Sequence, residues 1–122
     1  MQPYKNVVAF LWSTDLERTL AFYEEVLGLR RVYEAHGWVE LSIPGTRNAF
    51  LALNRWTQDE RPPRNDFLTL GVDDLDAARQ CLERAGVRFR GEIVALHEQG
   101  LRMLKFYDPE GNIITLAEIR GA

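Results

Sequence analysis

Two charged residues lie at positions where a side chain could act on a bound molecule. Glu40 lies in the alternating segment Trp38–Ile43, and Lys105 lies in a second such segment, Leu101–Tyr107. Successive side chains of a strand point to opposite faces, so each charge shares a face with every second residue. A carboxylate and an amine on a mainly apolar surface could transfer protons, or could orient a ligand. Lys105 could equally lie at a rim, where its ammonium group reaches solvent or pairs with Glu40.

The other residue types that commonly do chemistry are few and scattered. His36 and His97 fall in predicted turns or loops, and neither has a second residue at metal-ligand spacing. We expect both at the surface, where His97 could still touch a ligand. Cys81 is the single cysteine and falls within a helical pattern, so we expect a buried structural thiol. A lone cysteine can form no internal disulfide, which favours a reducing, cytoplasmic location.

Composition excludes several kinds of partner. A hydrophobic fraction of 46% and a charged fraction of 27% are typical of a soluble globular protein. The net charge is −3 and Lys and Arg form no cluster, which argues against a nucleic-acid partner. Apolar runs are too short to span a membrane, and Met1–Lys5 does not read as a signal peptide. We expect one domain over residues 1–122, with no nucleic-acid or membrane partner.

An internal repeat organises the chain. The segment Gly37–Leu53 aligns without a gap with the segment that begins at Gly100, at an offset of 63 residues. Each copy has two alternating apolar runs separated by turn residues, which predicts a pair of strands joined by a turn. The repeat predicts module one at about 5–54 and module two at about 67–119, joined by a polar, proline-containing linker at about 55–66.

Each module is predicted to fold in the order βαβββ. In module one, Thr14 and Glu17 have the spacing of a capping box, and Gly28 ends the helix. In module two, Asp73 or Asp74 caps the helix and Gly86 ends it. The predicted strands of module one are Asn6–Trp12, Leu29–Tyr33, Trp38–Ile43 and Ala49–Leu53. Those of module two are Phe67–Val72, Val87–Arg90 and the two strands of the closing hairpin, with Ile93–His97 left as an extension or loop.

Several of these motifs together resemble the vicinal oxygen chelate superfamily. They are the two βαβββ modules, the helix start Asp15–Arg18, the pair Phe22-Tyr23, and Asp108–Asn112 in the last hairpin. The superfamily includes glyoxalase I, extradiol dioxygenases, fosfomycin-resistance transferases and bleomycin-resistance binding proteins. The resemblance implies an α+β fold in which the two modules form a cupped, partly open, barrel-like mixed sheet with the helices outside. It also implies a homodimer, and leaves open whether the modules pair within one chain or by exchange.

The metalloenzymes of this family hold a divalent metal with one residue from each of four strands. By resemblance, those positions in this chain are Val8, Ala52, Phe67 and Thr115. Three are apolar, and one hydroxyl is a poor donor for such a metal. We therefore expect no metal and no cofactor, which argues against glyoxalase-type or dioxygenase-type chemistry.

The same positions fix which strand faces line the cup. The predicted lining combines aromatic walls with a few polar groups, as small-molecule sites do. Trp56 is expected to cover the mouth of the cup or a dimer seam. The predicted ligand-binding residues are Phe10, Trp12, Trp38, Glu40, Ser42, Phe50, Asn54, Trp56, Phe67, Met103, Lys105 and Thr115.

Three functions are compatible with this sequence. The preferred interpretation is a metal-free binding protein of the bleomycin-resistance type, which sequesters an aromatic or antibiotic-like compound without changing it. An alternative is a metal-independent isomerase, cyclase or lyase that uses Lys105 and Glu40 as acid and base. The third is a structural or regulatory domain whose cup is filled by its own side chains. The sequence does not specify the ligand.

Overall fold

The chain folds as two βαβββ units that divide between Arg64 and Asn65, as seen in a computed structural model that describes residues 1–119. Each unit has one α-helix and one four-stranded mixed sheet. The α+β class and the two tandem modules are therefore confirmed, and the division lies inside the predicted linker. That both units belong to one domain stays a prediction. Among the helices of residues 1–119, none combines the length and apolar composition that crossing a bilayer needs.

The first unit contains four strands and one helix. They are β1 (Val7–Ser13), α1 (Leu16–Ala21), β2 (Arg30–Ala35), β3 (Trp38–Ser42) and β4 (Ala49–Arg55). The sheet order is β1-β4-β3-β2, with β1 parallel to β4 and the other pairs antiparallel. A π-helical turn, Phe22–Val26, follows α1. Gly28, the predicted end of the helix, lies two residues after this turn and has a positive φ.

The predicted capping box at the start of α1 is wrong. Asp15 is the N-cap residue, and its carboxylate accepts a hydrogen bond from the Arg18 backbone N–H at 3.3 Å. The helix therefore starts one residue later than a cap at Thr14 requires, and Glu17 is its second residue rather than its third. Asp15 is favoured because a carboxylate at this position both accepts from the backbone and interacts with the positive end of the helix dipole.

The second unit repeats the order. Its elements are β5 (Thr69–Gly71), α2 (Leu75–Arg84), β6 (Val94–Leu96), β7 (Leu101–Tyr107) and β8 (Ile113–Ile119). The sheet order is β5-β8-β7-β6, which matches that of the first unit. Asp74 is the N-cap of α2, because its carboxylate accepts from the Ala77 backbone N–H at 3.0 Å.

Two strand predictions in the second unit need correction. The predicted strand Val87–Arg90 is reduced to one bridge, between Phe89 and Phe106, and the regular strand is β6 instead. Four residues lie between Phe89 and Val94, whereas only two lie between their partners Met103 and Phe106, so the ladder is interrupted. The strand predicted at Phe67–Val72 is also shorter, since only Thr69–Gly71 is regular.

Cys81 is exposed, so its predicted burial is wrong. Only a narrow stripe of α2 is buried, carried by Leu75 and Leu82. Cys81 immediately precedes Leu82, and consecutive helical residues point about 100° apart. The thiol therefore points away from the stripe.

Both sheets direct apolar side chains toward their own helix, as the alternation predicts. In the first unit, Leu41, Leu51 and Leu53 are fully buried on this face, together with Leu20 and Tyr23 of the helical segment. In the second unit the same role falls to Leu104, Phe106 and Ile114. The prediction of which strand faces pack against the helices is therefore confirmed for these strands. The opposite faces of the two sheets do not take part in this packing.

The two hairpins differ in pairing register although the sequence repeat has no gap. Glu40 pairs with Ala52 in the first unit. Their repeat equivalents are Met103 and Thr115, yet Met103 pairs with Ala117, two residues further along. A slip of two residues leaves each side chain on its original face, because strand side chains alternate with a period of two. This is why assigning faces through the repeat succeeds.

The turn between β2 and β3 gives a stability prediction. His36 and Gly37 have φ values of 50° and 84°, as in a two-residue hairpin turn. A β-carbon on Gly37 would lie 3.2 Å from Cβ of Arg55, whereas one on Gly45, at φ 85°, would have nothing within 4 Å. We expect Gly45→Ala to lower the free energy of unfolding by about 1 kcal/mol through backbone strain alone. Gly37→Ala should cost about 1 kcal/mol more, because it adds the contact. Urea unfolding of both variants tests this, and equal costs would contradict it.

Candidate functional site

Four aromatic rings form one connected surface on the first sheet. The ring centroids of Phe10 and Trp12 are 5.4 Å apart, those of Phe10 and Trp38 are 5.9 Å apart, and those of Trp12 and Trp56 are 5.1 Å apart. We call Phe10, Trp12, Trp38 and Trp56 the aromatic surface. Phe10 is 42% exposed, and the three tryptophans are half-buried. The rings therefore contact one another and also remain open to solvent.

Strand register explains why these rings meet. Strand β4 runs between β1 and β3, and Ala52 pairs with Phe10 on one side and with Glu40 on the other. In the next row, Asn54 pairs with Trp12 and with Trp38. Because alanine has only a methyl group, the Phe10 and Trp38 rings can reach each other across β4. The sheet thus brings together Phe10, Trp12, Trp38, Glu40 and Asn54, as predicted from the family metal positions and the alternation of strand side chains.

Glu40 is positioned by the aromatic surface itself. The indole N–H of Trp38 donates to Oε2 of Glu40 at 2.9 Å, and the Glu40 side chain is half-buried. Within residues 1–119 no hydrogen bond is recorded for Oε1 of Glu40, which can therefore accept from a ligand. The predicted neighbours Ser42 and Phe50 also share this face, and the Ser42 hydroxyl donates to the Arg30 carbonyl at 3.4 Å.

Trp56 is held at the edge of this surface by the chain that follows β4. Its backbone N–H donates to the Ser13 carbonyl at 2.8 Å. Its indole N–H donates to the Glu60 carbonyl at 2.7 Å. Both polar groups are satisfied within the first unit, so the ring is fixed against Trp12. A role for Trp56 at a cup mouth or dimer seam stays a prediction.

The second sheet has a less aromatic outer face. Lys105 pairs with Thr115, and Met103 pairs with Ala117, so Lys105, Thr115 and Met103 share this face as predicted. Thr115 is 5% exposed, whereas Lys105 is exposed and has no ion pair recorded among residues 1–119. Phe67 precedes β5 and is 55% exposed. Ligand contacts by these four residues stay predictions.

One residue of the first face escaped the sequence analysis. Tyr33 pairs with Glu40 and so lies on the same face as the aromatic surface, although Arg31 pairs with Leu41 on the helix side. A β-bulge at Val32 separates the two, whereas strict alternation places Arg31 and Tyr33 on one face. Arg31 instead binds Glu24 and Glu34, each at 2.6 Å. No sequence signal marks this bulge.

The residues at the four family metal positions do not fit a divalent metal. Val8 and Ala52 of the first unit and Phe67 of the second offer no donor atom, and Thr115 offers one hydroxyl. Across residues 1–119, no three His, Cys, Asp or Glu side chains come together in a way that could hold a metal ion. The predicted surface positions of His36 and His97 are confirmed, since both are exposed.

The order of elements places the chain in a class of proteins built from two tandem βαβββ units. The family model for the Glyoxalase/Bleomycin resistance protein/Dioxygenase superfamily matches residues 6–116, so the chain belongs to this superfamily. The predicted resemblance is therefore confirmed. No curated protein matches the chain as a relative.

Solved structures show the same fold. TnmS3, an antibiotic binding protein from Streptomyces sp. CB03234, is 27% identical, with a TM-score of 0.82 over 98% of both chains. A glyoxalase/bleomycin resistance protein from the same strain is 29% identical, with a TM-score of 0.74 over 91% of this chain and 97% of that one. A superfamily member from Sphaerobacter thermophilus DSM 20745 is 27% identical, with a TM-score of 0.81 over 95% and 98% of the two chains.

Proposed function

We propose that this protein is a metal-free binding protein that holds a small aromatic, antibiotic-like compound and releases it unchanged. The observation that carries this proposal is the aromatic surface, in which Phe10 is 42% exposed while in contact with two other rings. Exposed apolar patches on soluble proteins commonly mark binding sites. The proposal also places the protein in the cytoplasm as a homodimer, which follows from the single cysteine and from the family resemblance.

The arrangement of the rings suits a flat ligand. Trp12 meets Phe10 edge-to-face at 87° and meets Trp56 at 68°, so the rings present both faces and edges. Each aromatic pair formed with a ligand contributes about 0.5–1.5 kcal/mol beyond the area it buries. Rings held by neighbouring rings and by the sheet lose little side-chain entropy on binding. Affinity would therefore come from the rings, and Glu40 would set the ligand's orientation by accepting a hydrogen bond.

Three further findings support binding rather than catalysis. TnmS3, which shares 27% identity over nearly the whole chain, is an antibiotic binding protein. The four family metal positions carry a donor set that does not fit a divalent metal. Glu40 is already engaged by the Trp38 indole, which suits a positioning role better than proton transfer.

Native mass spectrometry tests the proposal directly. The purified protein is measured alone and after mixing with bleomycin, mitomycin C and a panel of polyaromatic natural products. We expect a stoichiometric complex with at least one aromatic compound and no divalent metal adduct. The bound compound is then released, weighed and chromatographed, because an isomerisation changes retention but not mass. Altered compound would replace the proposal with the enzyme alternative, and a panel with no complex would overturn it.

A further inference from the structure

The two units differ at one matched place on the helix side of their sheets. In the second unit, Arg102 donates to the Asp76 carboxylate at 2.9 and 3.2 Å and to Glu118 at 3.3 Å. Arg102 pairs with Glu118 across the β7–β8 ladder, and Asp76 is the second residue of α2. The Arg102 side chain is 20% exposed, so its guanidinium group fills the space between the helix start and the sheet.

The first unit has different residues at the matched positions. Arg55 corresponds to Glu118 at the repeat offset of 63, and Glu17, the second residue of α1, corresponds to Asp76. The residue opposite Arg55 is Gly37, whose carbonyl accepts from the Arg55 backbone N–H at 2.9 Å. Gly37, which has no side chain, thus occupies the position that Arg102 occupies in the second unit.

A cleft of about 280 Å³ opens at this place in the first unit. Its apolar base is formed by Leu16, Leu20 and Val39, all of which are buried. Glu17 borders it from α1, and Arg55 borders it from the end of β4. This volume lies just below the range of about 300–1,000 Å³ that is usual for ligand sites, so the cleft suits only a compact metabolite.

The charges around the cleft are only partly satisfied inside the protein. Glu34 also borders the cleft, but its Oε1 is bound to Arg31 at 2.6 Å. The hydrogen bonds that Arg31 donates to Glu24 and Glu34 raise the pKa of Arg31, which therefore stays charged. For Glu17 and Arg55, by contrast, residues 1–119 supply no recorded ion pair. A carboxylate and a guanidinium group thus border one cleft with their charges available.

We propose that this cleft binds a small zwitterion. Its cationic group would bind Glu17 at the place that Arg102 occupies in the second unit, and its carboxylate would pair with Arg55. A guanidinium group can donate two parallel hydrogen bonds to a carboxylate, so Arg55 is suited to binding the carboxylate of such a ligand. The site goes beyond the proposed function, because it lies on the helix side of the sheet and shares only Trp38 with the aromatic surface.

L-Arginine is the probe, since it carries both a guanidinium group and a carboxylate. It is titrated into the ¹⁵N-labelled full chain and followed by amide chemical shifts. We expect saturable shifts at Leu16–Leu20, Gly37 and Arg55. Agmatine, which lacks the carboxylate, should bind at least about tenfold more weakly, as the loss of a charge-assisted hydrogen bond predicts.

Matched variants make the test specific. Glu17→Gln and Arg55→Gln keep side-chain length but remove the charge, and each should weaken L-arginine binding at least about tenfold. Both side chains are exposed, so the variants should keep a native amide spectrum. Arg47→Gln, an exposed arginine outside the cleft, should bind as the wild type does. Shifts that never saturate, or equal affinity in all three variants, would overturn the proposal. Neither outcome bears on aromatic ligands, whose binding depends on Phe10 and Trp12.

Discussion

Glu118→Ala should lower the free energy of unfolding by about 3 kcal/mol, the expected cost of breaking a buried ion pair from one side. Glu118 is 3% exposed and lies on the helix side of β8. One carboxylate oxygen accepts from the Leu75 backbone N–H at 2.7 Å, at the first residue of α2, and the other accepts from Arg102 at 3.3 Å. The variant leaves the buried Leu75 N–H without this acceptor, and it removes one of the two carboxylates that bind Arg102. The loss of unfolding free energy should be near the lower end of the usual range, because Arg102 keeps its ion pair with Asp76.

Asp74→Ala is the matched control, because it removes the other carboxylate that caps α2. Asp74 is exposed and accepts from Ala77 at 3.0 Å, so its loss should cost about 1 kcal/mol. Glu118→Gln should fall between the two, since the amide oxygen can still accept from Leu75 while the ion pair is lost. Urea unfolding followed by far-UV circular dichroism gives all three values. A Glu118→Ala cost no larger than that of Asp74→Ala would contradict the assigned role.

Phe10→Ala should weaken binding of the aromatic compound identified by mass spectrometry about 30-fold, with little change in stability. Truncating an aromatic hot-spot residue at the centre of a binding surface costs about 2 kcal/mol or more in binding free energy, and the proposal makes Phe10 such a residue. Phe10 contacts both Trp12 and Trp38, so its removal interrupts the aromatic surface at its centre. Since Phe10 is 42% exposed, little of the folded core depends on it.

Val32→Ala is the control for this variant. Val32 is an apolar residue of the same sheet, is 54% exposed, and lies at the β2 bulge away from the aromatic rings. Isothermal titration of the wild type and both variants should show lost affinity in Phe10→Ala alone. If both variants bind as the wild type does, the ligand contacts a different surface.

Sequence reasoning could predict which residues share a sheet face, because strand side chains alternate between the two faces. The metal positions implied by the family resemblance assigned Phe10 to one face, and the alternation in Trp38–Ile43 with the repeat beginning at Gly100 extended that face to Trp38 and Glu40. The two-residue slip of the second hairpin did not disturb this assignment, since an even slip preserves faces. The strands β3, β4, β7 and β8, each of which buries one face, carry the strongest pattern and were predicted correctly, unlike β5 and β6.

The features that escaped prediction are those set by a single local contact. The bulge at Val32 turns Tyr33 onto the face that carries the aromatic surface, and nothing in Arg31–Glu34 distinguishes a bulged strand from a regular one. Asp15 and Thr14 are both good N-cap residues, and the choice between them depends on where the chain leaves β1. The hydrogen bond from the Trp56 indole N–H to the Glu60 carbonyl likewise depends on the backbone path of a polar loop. The free-energy differences between such local alternatives are too small for residue patterns to distinguish.

The placement of the tryptophans gives the protein a built-in optical label. All three, Trp12, Trp38 and Trp56, belong to the first unit, and no tryptophan occurs after Arg64. Intrinsic emission excited at the indole band therefore reports on one half of the duplicated chain, and on the rings to which we assign ligand contact. A quencher or a bound chromophore would lower this tryptophan fluorescence, so the protein needs no added dye. Comparing the emission and dichroism melting curves would then reveal whether the duplicated halves still unfold as one.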